Sequence, residues 1–141
     1  MSPEQLAKSG TEDGEQTAIF SWIRDQINAG RQDYELLEWA FAIPNGGSRG
    51  SNKGQAMAVG ARLKATGVKA GVSDIFLPIP RHNLSGLFIE LKKSPEHGGK
   101  PTDASAKQLE FGEAMLGSGY GFCVCCGWRE AVAVIEEWMG T

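Results

Sequence analysis

No stretch of this chain of 141 residues is apolar over the roughly 20 positions that a membrane-spanning helix requires. The N-terminal stretch, Met1 to Gly14, is polar and acidic, without the apolar centre of a signal peptide, so the reading is a cytoplasmic protein with no membrane partner. Cysteine is scarce: Cys123, Cys125 and Cys126 lie together in an apolar run, with no paired CxxC and no histidine nearby. That pattern argues against a zinc site and for buried free thiols. The glycine-rich loop Asn45-Gly46-Gly47-Ser48-Arg49-Gly50-Ser51 is not followed by Gly-Lys-Ser/Thr, which argues against a nucleoside triphosphatase. No internal repeat and no second domain are visible. Positive charge is also short overall, since the formal net charge is −3.

What the chain does contain is ordinary for a single globular domain: 41% hydrophobic and 22% charged residues. The charges are unevenly placed. Ten of the 14 basic residues (Arg49, Lys53, Arg62, Lys64, Lys69, Arg81, Lys92, Lys93, Lys100 and Lys107) fall between Gly46 and Lys107, with only four of the 17 acids, giving +6 there and −9 elsewhere. A basic middle in an acidic chain is the electrostatic footprint expected of a surface for a phosphate backbone.

The expected organisation is a loose tail over residues 1–10 and one domain over 11–141. Ile19, Ile23 and Ile27 recur at four-residue steps and predict a helix over Thr11 to Asn28. Glu15 falls on its inward face, either as a functional acid or as a first-turn residue favoured by the helix dipole. Leu36 to Ile43 reads as a strand closed by Pro44, and Gln55 to Thr66 as a second helix with a small inner face of Ala56, Val59, Gly60 and Leu63. A strand over Asp74 to Ile79 is stopped by Pro78 and Pro80, and Arg81-His82-Asn83 turns it into a partner strand over Gly86 to Leu91. Ser94 to Asp103 is a loop. Ser105 to Leu116 is a helix with Gln108 on its inward stripe, Phe122 to Cys125 a last strand, and Glu130 to Met139 a last helix. Trp22, Trp39 and Trp128 read as core or dimer contacts.

The chemistry concentrates in Gly71-Val72-Ser73-Asp74-Ile75 and, in the next apolar run, Phe88-Ile89-Glu90-Leu91-Lys92. Strand side chains alternate, so Glu90 and Lys92 share a face and Leu91 takes the other. If the two strands are neighbours, Asp74, Glu90 and Lys92 converge, and two carboxylates with an ammonium suit a hard divalent cation plus a group that positions water. Each residue alone has a plainer reading: Asp74 as a turn cap, Glu90 and Lys92 as a surface ion pair, Gln108 as a partner of the backbone.

Taken in order, Glu15, Asn45, Asp74, the Glu90-Leu91-Lys92 triplet and Gln108 within Ser105-Ala106-Lys107-Gln108 resemble the VRR-NUC family of the PD-(D/E)XK nuclease superfamily, over roughly Glu12 to Met139. Ser73 stands where the superfamily name has proline, a position that shapes the turn. The resemblance implies an α/β fold with a restriction-endonuclease-like core, a mixed central sheet of about four strands flanked by helices, with one inserted and one appended helix. It implies hydrolysis of DNA phosphodiesters with Mg²⁺ or Mn²⁺. Asp74, Glu90 and the Leu91 carbonyl would be metal ligands, with Glu15 as a further ligand. Lys92 would position the nucleophile or stabilise developing charge, and Gln108 would hold it by hydrogen bonds. Asn45, Arg49, Lys53 and Lys93 would face DNA. The stand-alone phage and bacterial members further suggest a homodimer that cuts branched DNA such as four-way (Holliday) junctions. Rivals are a non-cleaving DNA-binding replication or repair accessory protein on the same fold, a restriction-type enzyme, and a small-molecule enzyme.

Overall fold

A computed structural model describes residues 1–44 and 53–140 of the chain. Pro3–Leu6 forms one helical turn, α1, closed by a reciprocal cap: Ser2 accepts from Gln5 N while the Gln5 side chain accepts from Ser2 N. Where the sequence suggested a loose tail, this turn packs on the helix that follows, α2 (Glu12–Asn28), and buries Ala7. Thr11 caps α2 by accepting from Gly14 N, and Ala18, Ile19 and Ile23 are buried along it, as their four-residue steps require.

The expected strand over Leu36 to Ile43 is mostly a 3-10 helix, Tyr34–Trp39, with only Phe41–Ala42 (β1) joining the sheet. The physical reason is a period of three. Tyr34 and Leu37 are buried on one side of the three-residue turn, while Leu36 and Trp39 are exposed. Alternating burial, which a strand needs, is not present. After α3 (Lys53–Ala65), whose residues Val59, Gly60 and Leu63 are half-buried, come β2 (Ile75–Leu77) and β3 (Leu87–Lys92). The bridge Arg81–Leu84 between them brackets His82 and Asn83, both at positive φ (55° and 63°), the conformation of a two-residue hairpin turn.

The loop after β3 carries two short 3-10 turns, Pro95–His97 and Pro101–Asp103. It leads to α4 (Ala106–Gly117), β4 (Gly121–Cys126) and α5 (Trp128–Trp138). The strands lie in the order β1-β2-β3-β4, with β1–β2 and β2–β3 antiparallel and β3–β4 parallel. The mixed four-stranded sheet flanked by helices matches the architecture expected. The parallel pair requires a crossover, and α4 supplies it.

Alternation along the strands divides the core. Ile75, Leu77, Leu87, Ile89, Leu91 and Cys125 face Ile19, Ile23, Ala131 and Ile135 of α2 and α5. On the opposite face Phe76 and Phe88 stack at 4.4 Å between ring centroids, and Phe111 and Tyr120 meet Phe88 edge-on. Trp22 and Trp128 belong to the packed interior, whereas Trp39 is exposed.

α4 approaches the sheet closely at Gly112, where an added Cβ would overlap the Phe122 ring. In a helix interior Ala is favoured over Gly by ~1 kcal/mol, while overpacking costs ~1–3 kcal/mol. Gly112→Ala is therefore expected to lower the urea midpoint. A raised midpoint would mean that the α4–β4 contact is not close-packed.

Candidate active site

The register Ile75↔Ile89 sets the site. One residue further along each strand, Asp74 comes opposite Glu90. Just outside β2, Asp74 N donates to Ile89 O at 3.1 Å and Ile43 N donates to Asp74 O at 2.8 Å, which fixes the Asp74 backbone beside both neighbouring strands. Beyond it Asp74 Oδ2 accepts from Leu91 N at 2.7 Å, so a side chain takes a donor of the β3 backbone and holds the Asp74 carboxylate beside Glu90.

Glu90 is 1% exposed. Its Oε2 receives Gln108 Nε2 at 3.1 Å and lies 3.8 Å from Lys92 Nζ, while its Oε1 is buried with no hydrogen-bond partner. Gln108 is itself fixed. Its Oε1 accepts from Ser105 N at 2.8 Å, and its own N donates to Ser105 Oγ at 3.2 Å, the reciprocal cap that starts α4. The amide thus caps a helix with its oxygen and holds a buried acid with its nitrogen, which also settles which end of the amide is which.

Burial, followed by the hydrogen bond and negative charge of Asp74, pushes the Glu90 carboxyl up from its ordinary value near 4.5 to about 9. Lys92 pulls the other way and is outweighed. At neutral pH Glu90 therefore carries a proton, and that proton gives its otherwise unpartnered oxygen something to donate to Asp74. These residues fit a divalent cation. An unpartnered buried carboxylate oxygen stands beside a second carboxylate, and a cation in place of the proton would satisfy both. Among the described residues no group of three or more His, Cys, Asp or Glu encloses such a position. Protein carboxylates would supply two ligands and leave the rest to backbone, water and substrate, the pattern that suits Mg²⁺.

An open cleft of about 520 Å³ reaches Asp74 and is lined by Glu12, Asp13, Gln16, Ala42, Ile43, Pro44, Asp74 and Leu91. Sequence reasoning missed Glu12, whose charge also helps raise Glu90. Glu15, the acid of this helix expected at the site, does not line the cleft. It is 1% exposed, and its Oε2 accepts from Trp128 N at 2.9 Å. Gly127, at φ 87°, offers no side-chain cap to α5, so Glu15 supplies one from α2 and sets negative charge at the positive end of the helix dipole. The inward direction of Glu15 was readable from its spacing to Ile19, but the element it would meet was not.

The structure thus brings together Asp74, Glu90, Leu91, Lys92 and Gln108. Lys93, which follows β3, is exposed and points away by alternation. Lys53 is placed as the first residue of α3, and Asn45 and Arg49 lie outside the described residues.

No protein-family model and no curated protein matches the chain. A solved structure titled "VRR_NUC domain protein" does, with a TM-score of 0.68 and 28% identity, covering 92% of this chain and 88% of that one. The chain has the fold of that nuclease-type domain over nearly its whole length.

Because Glu90 holds a proton in the native state between about 4.5 and about 9 that the unfolded chain has already lost, stability without metal falls as pH rises through that window. Urea unfolding in EDTA across this range is expected to show the decline, and Glu90→Gln to flatten it. An equally steep decline in Glu90→Gln would place its origin elsewhere. For Glu15, Ala leaves a buried Trp128 N–H without its acceptor, and a loss of ~2–4 kcal/mol is expected. A loss below ~0.5 kcal/mol in denaturant unfolding would exclude the capping role.

Proposed function

We propose that the chain is a Mg²⁺- or Mn²⁺-dependent endonuclease that hydrolyses DNA phosphodiester bonds through a PD-(D/E)XK site. The observation that carries the reading is the half-buried Asp74 beside the buried Glu90, with an unpartnered oxygen on Glu90 and the Lys92 ammonium 3.8 Å from its other oxygen. The VRR_NUC-like fold and the basic middle of the sequence support it.

In this reading Asp74 and Glu90 would hold the metal, and Leu91 would add its backbone carbonyl. When bound, such a metal would supply charge to polarise the scissile phosphate and to lower the pKa of a bound water. Lys92, whose side chain is 14% exposed, has its ammonium 3.8 Å from Glu90 Oε2. Its part is to orient the attacking water and to offset charge that builds on the phosphate. Gln108 is a positioning residue. Through its bond to Glu90 Oε2 it keeps that carboxylate turned towards Asp74.

Branched DNA, four-way junctions in particular, is the proposed substrate, and a homodimer the proposed working form. Both rest on the resemblance of the sequence to stand-alone VRR-NUC domains. A twofold pair of sites would suit the near-twofold symmetry of a junction.

Cleavage of labelled linear duplex, single strand, flap and four-way junction DNA, with Mg²⁺, Mn²⁺ or EDTA, tests the proposal. Metal-dependent cutting is expected, strongest on the junction, and lowered by ~10²–10³-fold in Lys92→Ala, the scale of losing one transition-state contact. Gln108→Ala is expected to lose less, because it acts through Glu90. Stable binding of DNA without cutting under any condition would instead favour an accessory protein on the same fold.

A further inference from the structure

On the α4 side of the acid pair lies a groove of about 190 Å³, lined by Lys69, Ala70, Val72, Lys107, Glu110, Phe111 and Ala114. Resting on the nuclease reading above, we infer that this groove seats the sugar-phosphate backbone next to the scissile phosphate, with Lys69 and Lys107 as its phosphate contacts.

The groove and the site are built on neighbouring parts of the same two segments. Gly71 has φ +89°, and a Cβ there would stand 2.6 Å from the Lys107 carbonyl oxygen. A side chain is excluded by both conformation and space, so the 69–72 turn and the first turn of α4 are locked in backbone contact. Each of these segments then runs directly into the site. Asp74 follows Gly71 by three residues, and Gln108, next to Lys107, donates to Glu90 at 3.1 Å. Whatever binds across Lys69 and Lys107 is therefore held in a fixed relation to the acids.

The lining chemistry fits a nucleic-acid backbone. Lys69 and Lys107 are both exposed, and neither forms an ion pair with a described residue. Between them Val72 and Phe111 are half-buried and offer an apolar floor of the kind a deoxyribose rests on. Glu110, one helical turn beyond Lys107, puts a like charge in the way of a further phosphate and so bounds the track. Contacts of this kind position a backbone and read no bases, in line with a structure-directed nuclease.

The test is the salt dependence of binding, measured by fluorescence anisotropy of labelled duplex and junction DNA in EDTA. Each lost phosphate contact removes about 0.9 from the slope of log K against log salt, so Lys69→Gln/Lys107→Gln is expected to flatten the slope by about 1.8 and weaken binding at least ~10-fold at low salt. The exposed pair Lys8 and Arg24 provides the control: Lys8→Gln/Arg24→Gln makes the same change in net charge and should leave the slope as in the wild type. Glu110→Gln should tighten binding, the opposite direction, which a general loss of folding cannot produce. Matching urea midpoints would exclude misfolding of the lysine variant. If the wild type binds and cuts but the two double variants share one slope, the groove is not the track. If the wild type neither binds nor cuts DNA, the nuclease reading itself falls.

Discussion

Glu90 puts a carboxylate inside the sheet, with an amide and an ammonium near one oxygen and nothing on the other. An isolated ionised acid in such a place costs far more than one hydrogen bond returns. The neighbouring carboxylate of Asp74 raises the cost further, and the 3.8 Å separation from Lys92 is too long to offset it. The group therefore keeps its proton well above neutrality. Two outcomes relieve the conflict, a shared proton or a shared cation, and they compete for the same oxygens. pH dependence and native stability become linked through a single residue, and under the proposed function metal affinity would be linked to both.

The surrounding structure holds that conflict in place by using side chains twice. Gln108 closes the start of α4 and in the same act orients Glu90. Asp74 is fixed beside both neighbouring strands through its backbone and crosses to Leu91 N through its carboxylate. Glu15 closes the start of α5 from a different helix, tying α2 to the turn that follows β4. Gly127 N in turn donates to Lys92 O at 2.9 Å, so the backbone of the proposed positioning lysine is anchored to the same turn. An acid on α2 that looked catalytic thus bears on the site indirectly, by fixing the element against which β3 ends.

What could be read from the sequence follows from which forces are local. Alternation put Glu90 and Lys92 on one face, and the short hairpin around His82 and Asn83 made β2 and β3 neighbours, so Asp74 had to arrive opposite Glu90. Gln108 was legible as a polar residue on an inward stripe, though its double use depends on the distance between α4 and β3. Tyr34 to Trp39 misled because aromatic and branched residues suggest a strand, whereas burial there repeats every third residue. The choice between Glu12 and Glu15 was not legible at all. Helical spacing says which way a side chain points, but what lies in that direction is set by packing of α5, more than a hundred residues away in sequence.

The charge pattern bears on whether such a site would suit a protein that only binds DNA. Glu12, Asp13 and Asp74 line one cleft, and Asp74 and its neighbour Glu90 both come from the most basic part of the sequence. For a passive binder this is the worst place for acids, since they repel the phosphates that the lysines attract and one of them destabilises the fold by its burial. Replacing Glu90 by a neutral residue would relieve both effects. Under the proposed function the acids gain a purpose, because Asp74 and Glu90 would hold a divalent cation whose charge would offset their repulsion of a phosphate. Under the proposed function, the carboxylates that weaken the protein without metal would be the ones that align a phosphodiester for hydrolysis, and the lysine groove beside them would deliver the backbone.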